Sequence, residues 1–506
     1  MPRLLIPLAL AGICAALLTV TIRFGSFVAG GSDSSCYVIQ AERWAAGRLL
    51  APDPLAVQAP WPDAERAFAP AGHFPAPRVT GAIAPICPSG LSMLMAPFRF
   101  AGGRVTMFAL FPLCGIALVV ATFLLGARVQ PGVGLASALV IASNPIVVYQ
   151  AVQPMSDVPA AAFWTLALAA AVGRTPRAPL LAGISAAVAI LVRPNLLPLG
   201  VVIGVFLLVR PERPWVDRLR HAAVYAVPCA VGCAAVALVQ WHLYGSPLAS
   251  GYGAVSDIFA FAHVAPNVSR YGSWLVQAQT PLVLLALGAP FVAPRGFALL
   301  GLAFSLVTAG VYLPYLVFED WPYVRFLLPA MPVLTVLWLS TLSGLVQRVS
   351  VRQTSRVLGL VAVAVAIAGI WTARSHQAFA LRRLESVYPR TGEEVGRRLP
   401  RNALVVTSRY SGSVRYYAGR ETLVWDALDP ASLDRALAFA RAHGLEPFFM
   451  LDSGEEEAFR MRFAGSELAR LDWPPAIEIA PQVRIYDPGA RARYQRGESI
   501  ATEYVR

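Results

Sequence analysis

The chain has 506 residues, 57% hydrophobic and only 14% charged, with a mean hydropathy of +0.57. Soluble proteins carry about 25% charged residues, so this composition excludes a soluble globular class and assigns most of the chain to lipid. The net charge of +13 is concentrated in residues 1–374, with 23 Arg against 11 acids, while residues 375–506 hold 19 Arg against 18 acids; an excess confined to loops between apolar spans fits an anionic leaflet and not nucleic acid.

The first apolar run, Leu4 to Ile22, is long enough to cross a bilayer. No small-residue cleavage site follows it, so it reads as an uncleaved helix. A polar, Pro-rich stretch from Phe24 to about Gly103 comes next, far longer than an ordinary connection and therefore a functional candidate. It contains Cys36 and Cys87, for which a disulfide and two free thiols are both compatible with the sequence. Cys14, Cys114, Cys229 and Cys233 fall inside apolar runs as small hydrophobes, and no Cys pair has zinc-site spacing.

Further spans read as Val105–Ala127, Val133–Tyr149, Val158–Val172, Leu180–Val192, Leu196–Val209, Ala222–Leu243, Leu282–Val292, Phe297–Phe318, Phe326–Val346 and Val357–Ala373, which makes eleven with the first, two or three of them short. From a cytoplasmic N-terminus, alternation puts Arg128, Arg174, Arg177, Arg210, Arg213, Arg218, Arg220, Arg295, Arg348, Arg352 and Arg356 in short inside loops, as the positive-inside rule requires. An odd number of spans leaves the tail outside. There, Ala403–Thr407, Thr422–Asp426, Pro447–Asp452 and Val483–Asp487 read as strands, and helices start at Asp429-Pro430 and Ser453, so residues 375–506 are expected to fold as a small α/β domain following a transmembrane domain of residues 1–374, with 24–103 as its large outer loop. The tail has no G-x-G-x-x-G and no P-loop.

Acids are scarce in the membrane half. Only Glu212 and Asp217 fall inside under this topology; Asp33, Glu42, Asp53, Asp63, Glu65, Asp157, Asp257, Glu319 and Asp320 fall at or beyond the outer interface, where ionisable groups near hydrocarbon are usually functional. Asp33 sits in Gly31-Ser32-Asp33-Ser34-Ser35-Cys36-Tyr37 and, with Tyr37, Ala41 and Gly47, gives the spacing D-x3-Y-x3-A-x5-G. Capping the following helix is the plain structural use of such an Asp. Asp157, in Gln153-Pro154-Met155-Ser156-Asp157-Val158-Pro159, has the same two readings. Pro85-Ile86-Cys87-Pro88-Ser89-Gly90 is a further Pro- and Gly-containing motif, followed by Leu91, Leu94, Ala96 and Pro97. Arg325, in Glu319-Asp320-Trp321-Pro322-Tyr323-Val324-Arg325-Phe326-Leu327-Leu328-Pro329, suits a lipid phosphate through its guanidinium fork, or an ion pair with Glu319 or Asp320. Arg193, before Pro194, and Arg270 are lesser candidates.

These four motifs, taken in chain order (Asp33, Pro85–Gly90, Asp157, Arg325) and with one sidedness, resemble the glycosyltransferase C superfamily, and most nearly family 39 and its protein O-mannosyltransferase-like and aminoarabinose-transferase-like relatives. The resemblance implies a polytopic α-helical enzyme of the bacterial inner membrane, with a periplasmic α/β domain, moving a sugar from a polyprenyl-phosphate donor to a lipid, glycan or protein acceptor by inverting displacement. It implies Asp33 as catalytic base and Tyr37, Asp157, Arg325 and Arg193 as substrate-binding residues. No cofactor, metal or nucleic-acid partner is expected beyond the donor and the bilayer, although Glu319 and Asp320 leave a divalent ion open. The competing class is a transporter or flippase of lipid-linked sugars; against it stand the outer clustering of the acids, the large first loop and the lack of an internal repeat.

Overall fold

The structure is a computed structural model describing residues 5–130, 132–210, 212–480 and 482–505; Leu4, the expected first residue of the opening span, lies outside them. Among the described residues, six helices are long and apolar enough to cross a membrane: Leu5–Phe24, Thr106–Val129, Trp215–Tyr244, Arg295–Tyr312, Trp321–Val349 and Val351–Ser375. Two bent pairs raise the number to eight, and three shorter apolar helices, Asp157–Ala171, Ala178–Val192 and Pro194–Val209, account for the rest of the eleven segments read from the sequence. Helices dominate because every backbone N–H and C=O in hydrocarbon must be satisfied within its own segment.

Both bends have local causes. Val133–Ala142 and Pro145–Ala151 meet at 57°. Pro145 brings no N–H, and the Asn144 side chain caps the second helix by accepting from the backbone N–H of Ile146 and Val147 at 3.2 and 3.4 Å while donating to Ala278 O at 2.8 Å. Phe261–Gln279 and Pro281–Phe291 meet at 89°. Here Thr280 adopts a φ of 59°, Pro281 follows, and Gln279 is held by Met331 O and the Thr335 hydroxyl. This corrects two expectations. The stretch Val264–Gln279, read as loop, is an amphipathic helix whose Asn267 and Arg270 depress its hydropathy. The expected span Leu282–Val292 is an eleven-residue 3₁₀ run containing Pro281 and Pro290.

The chain forms two compact units, and they do not divide at 374/375 as expected. Unit 1 comprises Met1–Phe27, Pro88–Gln240 and Tyr252–Arg382; unit 2 comprises Val28–Cys87, Trp241–Gly251 and Arg383–Arg506. Most of the first loop, Val28–Cys87, therefore belongs to the same compact unit as the tail, while its end from Pro88 belongs to unit 1.

Unit 2 is built on a six-stranded mixed sheet ordered β5-β4-β6-β8-β7-β9, from β4 (Ala403–Thr407), β5 (Glu421–Val424), β6 (Glu446–Asp452), β7 (Ile477–Ile479), β8 (Val483–Tyr486) and β9 (Glu503–Val505). Strand periodicity sorts its two faces. Leu404, Val406, Phe449 and Leu451 join one core, whereas Val405, Met450 and Ile485 join the other. Trp61, Ala64 and Phe68 from the loop complete the first core, with Trp61 edge-on to Phe439 at 5.3 Å. Three consecutive residues fix the loop further: Arg415 pairs with Asp53 at 3.1 Å, the Tyr416 hydroxyl donates to Glu42 at 3.1 Å, and the Tyr417 hydroxyl accepts from Ala29 N at 2.9 Å. The loop adds its own small antiparallel sheet, ordered β1-β3-β2, from β1 (Ala51–Pro52), β2 (His73–Pro75) and β3 (Ala82–Pro85). Cys36 and Cys87 form a disulfide across a separation of 51 residues; on the chain-entropy argument a closed loop of that length contributes about 4 kcal/mol.

Candidate functional site

In unit 1 four segments end together. The helix Asp157–Ala171 begins with a fully buried carboxylate, and its antiparallel neighbour Ala178–Val192 ends at Arg193, which is 8% exposed. Each charge suits its helix terminus, an anion at the positive end and a cation at the negative end. Pro194 turns the chain away, since a residue before proline is driven out of the helical region, and Arg193 sits at φ −140°, ψ 85°. Arg193 Nη2 lies 2.8 Å from Asp157 Oδ1, Nε donates to Ser156 Oγ at 3.0 Å, and Nη1 donates to the Tyr312 hydroxyl at 3.3 Å. Asn195 Nδ2 donates to the same hydroxyl at 2.9 Å. Asp157 and Arg193, separate candidates in the sequence, are thus one ion pair, and its guanidinium is largely engaged by protein groups.

Aromatic rings extend this site. Phe326 stacks on Tyr312 with centroids 4.7 Å apart, and the guanidinium carbons of Arg193 and Arg325 lie 5.8 and 5.5 Å from the Phe326 ring. Arg325 is half-buried, 5.2 Å from the Tyr323 ring, which itself stacks on Phe318. Glu319, one suggested partner for Arg325, instead lies 3.4 Å from Arg270, whose Nη1 also donates to Phe318 O at 2.6 Å. Among the described residues no group of three or more His, Cys, Asp or Glu is arranged to hold a metal. Gly90 sets the helix Ser89–Gly102 beside this end of unit 1: a Cβ there would fall 2.0 Å from Leu191 O, so only glycine permits the approach.

In unit 2, the helix Asp33–Ala45 starts at Asp33 itself, half-buried in the first turn, where a carboxylate is favoured. Ser32, the residue before the helix, makes no side-chain capping bond. The residues that follow Asp33 at this spacing turn inward: Tyr37 is 4% exposed, and Ala41, with Gln40 beside it, is fully buried. Tyr244 is also structural, its hydroxyl donating to Pro85 O at 3.0 Å.

The sequence reading missed Tyr312 and Asn195 of unit 1, although Asn195 stands two residues from Arg193 across a proline. It also missed an electropositive locus in unit 2. Burial, and secondarily the charge of Arg415, push Arg43 down to about 10. Burial, then the charge of Arg43, hold the buried His73 imidazole well below its ordinary value. The consequence has a definite sign. A His neutral in the folded state and titrating near 6.5 when unfolded contributes stability above that pH and loses it as pH falls. Between about pH 7 and pH 5 the wild type should therefore lose stability relative to His73→Gln by up to about 1.4 kcal/mol per pH unit, read by thermal melting at each pH.

No family model and no curated protein matches the sequence. Solved structures do. ArnT from Cupriavidus metallidurans, in the apo state, aligns with a TM-score of 0.56 at 15% identity, covering 89% of this chain and 94% of that one. The same protein bound to undecaprenyl phosphate aligns at 0.53 and 13% identity over the same shares. The apo oligosaccharyltransferase of Archaeoglobus fulgidus aligns at 0.54 and 11% identity, covering 96% of this chain and 75% of that one. The likeness to these structures and the long apolar helices together make this chain a polytopic membrane protein with the glycosyltransferase C fold.

Proposed function

We propose that the protein is a membrane glycosyltransferase that takes a sugar from a polyprenyl-phosphate donor on the outer face of the bacterial inner membrane. The observation that carries this reading is the half-buried Arg325 guanidinium, set between Tyr323 and Phe326 beside the braced Asp157–Arg193 pair. A planar fork held by aromatic faces is suited to phosphate oxygens, and it supplies charge where a leaving phosphate develops it. Arg193 and Asp157 hold the frame of that site. Asp33 takes the proton of the acceptor hydroxyl as its oxygen attacks the anomeric carbon; the carbon–phosphate oxygen bond breaks, and polyprenyl phosphate leaves with the electron pair. Direct attack inverts the anomeric centre. The Cys36–Cys87 disulfide supports an oxidising compartment, and hence unit 2 outside the cytoplasm.

Arg325→Lys tests the phosphate assignment. Charge is retained and the fork is lost, so polyprenyl phosphate should bind at least about tenfold more weakly while the melting temperature is unchanged. Unchanged affinity would remove Arg325 from the donor site.

A further inference from the structure

At the other end of the helix Arg295–Tyr312, away from Tyr312, unit 1 contains a cavity of about 1270 Å³ that the proposed transfer reaction does not use. Its walls are apolar, with Val201, Val205 and Phe206 from one helix facing Phe297 and Leu300 from the other. Val201, Val205 and Val209 are 62%, 50% and 61% exposed, so no group among the described residues covers this furrow. The rim is strongly cationic. Arg128, Arg174, Arg210 and Arg213 line it together with a single acid, Glu212.

That one carboxylate does little to neutralise the cluster. Glu212 lies 3.6 Å from Arg210 with its side chain 70% exposed. Two guanidiniums are oriented by the carbonyls that end the helix Asp157–Ala171: Arg128 donates to Ala169 O, and Arg210 donates to Ala171 O at 3.1 Å. Arg213 Nη1 lies 3.2 Å from His221 Nε2. Burial lowers Arg210 from its ordinary value, and the charges of Arg213 and Arg174 add to that lowering against Glu212. A long uncovered apolar furrow ending in clustered guanidiniums is complementary to an amphiphile with an anionic head.

We propose that this cavity binds one anionic membrane phospholipid, its phosphate held by Arg174, Arg210 and Arg213 and an acyl chain lying along Val201, Val205 and Val209. The occupant is a lipid of the leaflet that meets the Arg-rich loops, not the sugar donor. Binding there ties together the ends of the helices Asp157–Ala171, Pro194–Val209 and Arg295–Tyr312.

The test uses the full chain in mild detergent, titrated with phosphatidylglycerol and read by native mass spectrometry. One phosphatidylglycerol should be retained per chain, and phosphatidylcholine should bind at least about tenfold more weakly. Arg174→Gln with Arg213→Gln should weaken phosphatidylglycerol roughly 10- to 30-fold. Val201→Trp, which fills the furrow at an exposed position and leaves the core intact, should also displace it. Arg348→Gln with Arg352→Gln, an equal loss of charge elsewhere, should leave retention unchanged. Equal retention of the two lipids, an equal effect of the Arg348/Arg352 pair, wild-type retention by Val201→Trp, or one-for-one displacement by polyprenyl phosphate would each overturn the proposal.

Discussion

Asp33→Asn is expected to insert and fold as the wild type does and to lose sugar transfer by roughly 10²–10⁴-fold, the contribution of a general base. The substitution isolates chemistry from structure. Asn has the size of Asp and gives up only the first-turn charge–dipole attraction, about 0.3–1 kcal/mol, so the helix Asp33–Ala45 keeps its first turn. The carboxylate's capacity to accept a proton is what disappears. A purely structural Asp33, a first-turn carboxylate, would show the opposite pattern, with Asn and Ala both nearly silent in activity and each costing about 0.3–1 kcal/mol in stability. Transfer rates and melting temperatures of the three proteins separate the two cases.

The second large effect is on stability. Asp157→Asn removes the carboxylate that lies 2.8 Å from a guanidinium on a residue only 8% exposed. Breaking a buried pair by deleting one partner typically costs about 3–5 kcal/mol, because the remaining charge stays desolvated. Asp157→Asn with Arg193→Met should recover most of that loss, since no uncompensated charge remains. Unfolding of the purified protein measures both. A double variant as unstable as the single one would mean that Arg193 contributes mainly through its bonds to Ser156 and Tyr312, not through charge.

Much of the fold was legible in the sequence because a membrane span announces itself locally. All eleven apolar segments were visible, but Val133–Tyr149 reads as one span across the bend that the structure places at Asn144-Pro145. What was not legible depends on distant pairing. Strands β7 and β9 are three residues each, too short for a periodic signal, and become strands by pairing with each other and with β8. The loop's place in unit 2 rests on Trp61 against Phe439 and on Arg415 with Asp53, contacts that no local pattern encodes. The helix Val264–Gln279 escaped notice because Asn267 and Arg270, which serve the carbonyls of Leu313, Tyr315 and Phe318, interrupt its apolar face. For the candidate site the sequence identified residue types but not partners. Asp157 and Arg193 stand out as charges beside apolar spans, yet their pairing requires two antiparallel helices of matched length. Tyr37 was chosen for its position one turn after Asp33, and that same periodicity turns it into the interior.

The proposed reaction consumes a polyprenyl-phosphate-linked sugar and requires Asp33. Mass analysis of lipid extracts from cells lacking the gene tests it without knowledge of the acceptor. The account predicts that a polyprenyl-phosphate sugar accumulates on the outer leaflet, open to reagents that do not cross the membrane, and that the wild-type gene clears it while the Asp33→Asn gene does not. An unchanged lipid pool, an accumulated species shielded on the inner leaflet, or full clearance by Asp33→Asn would contradict it.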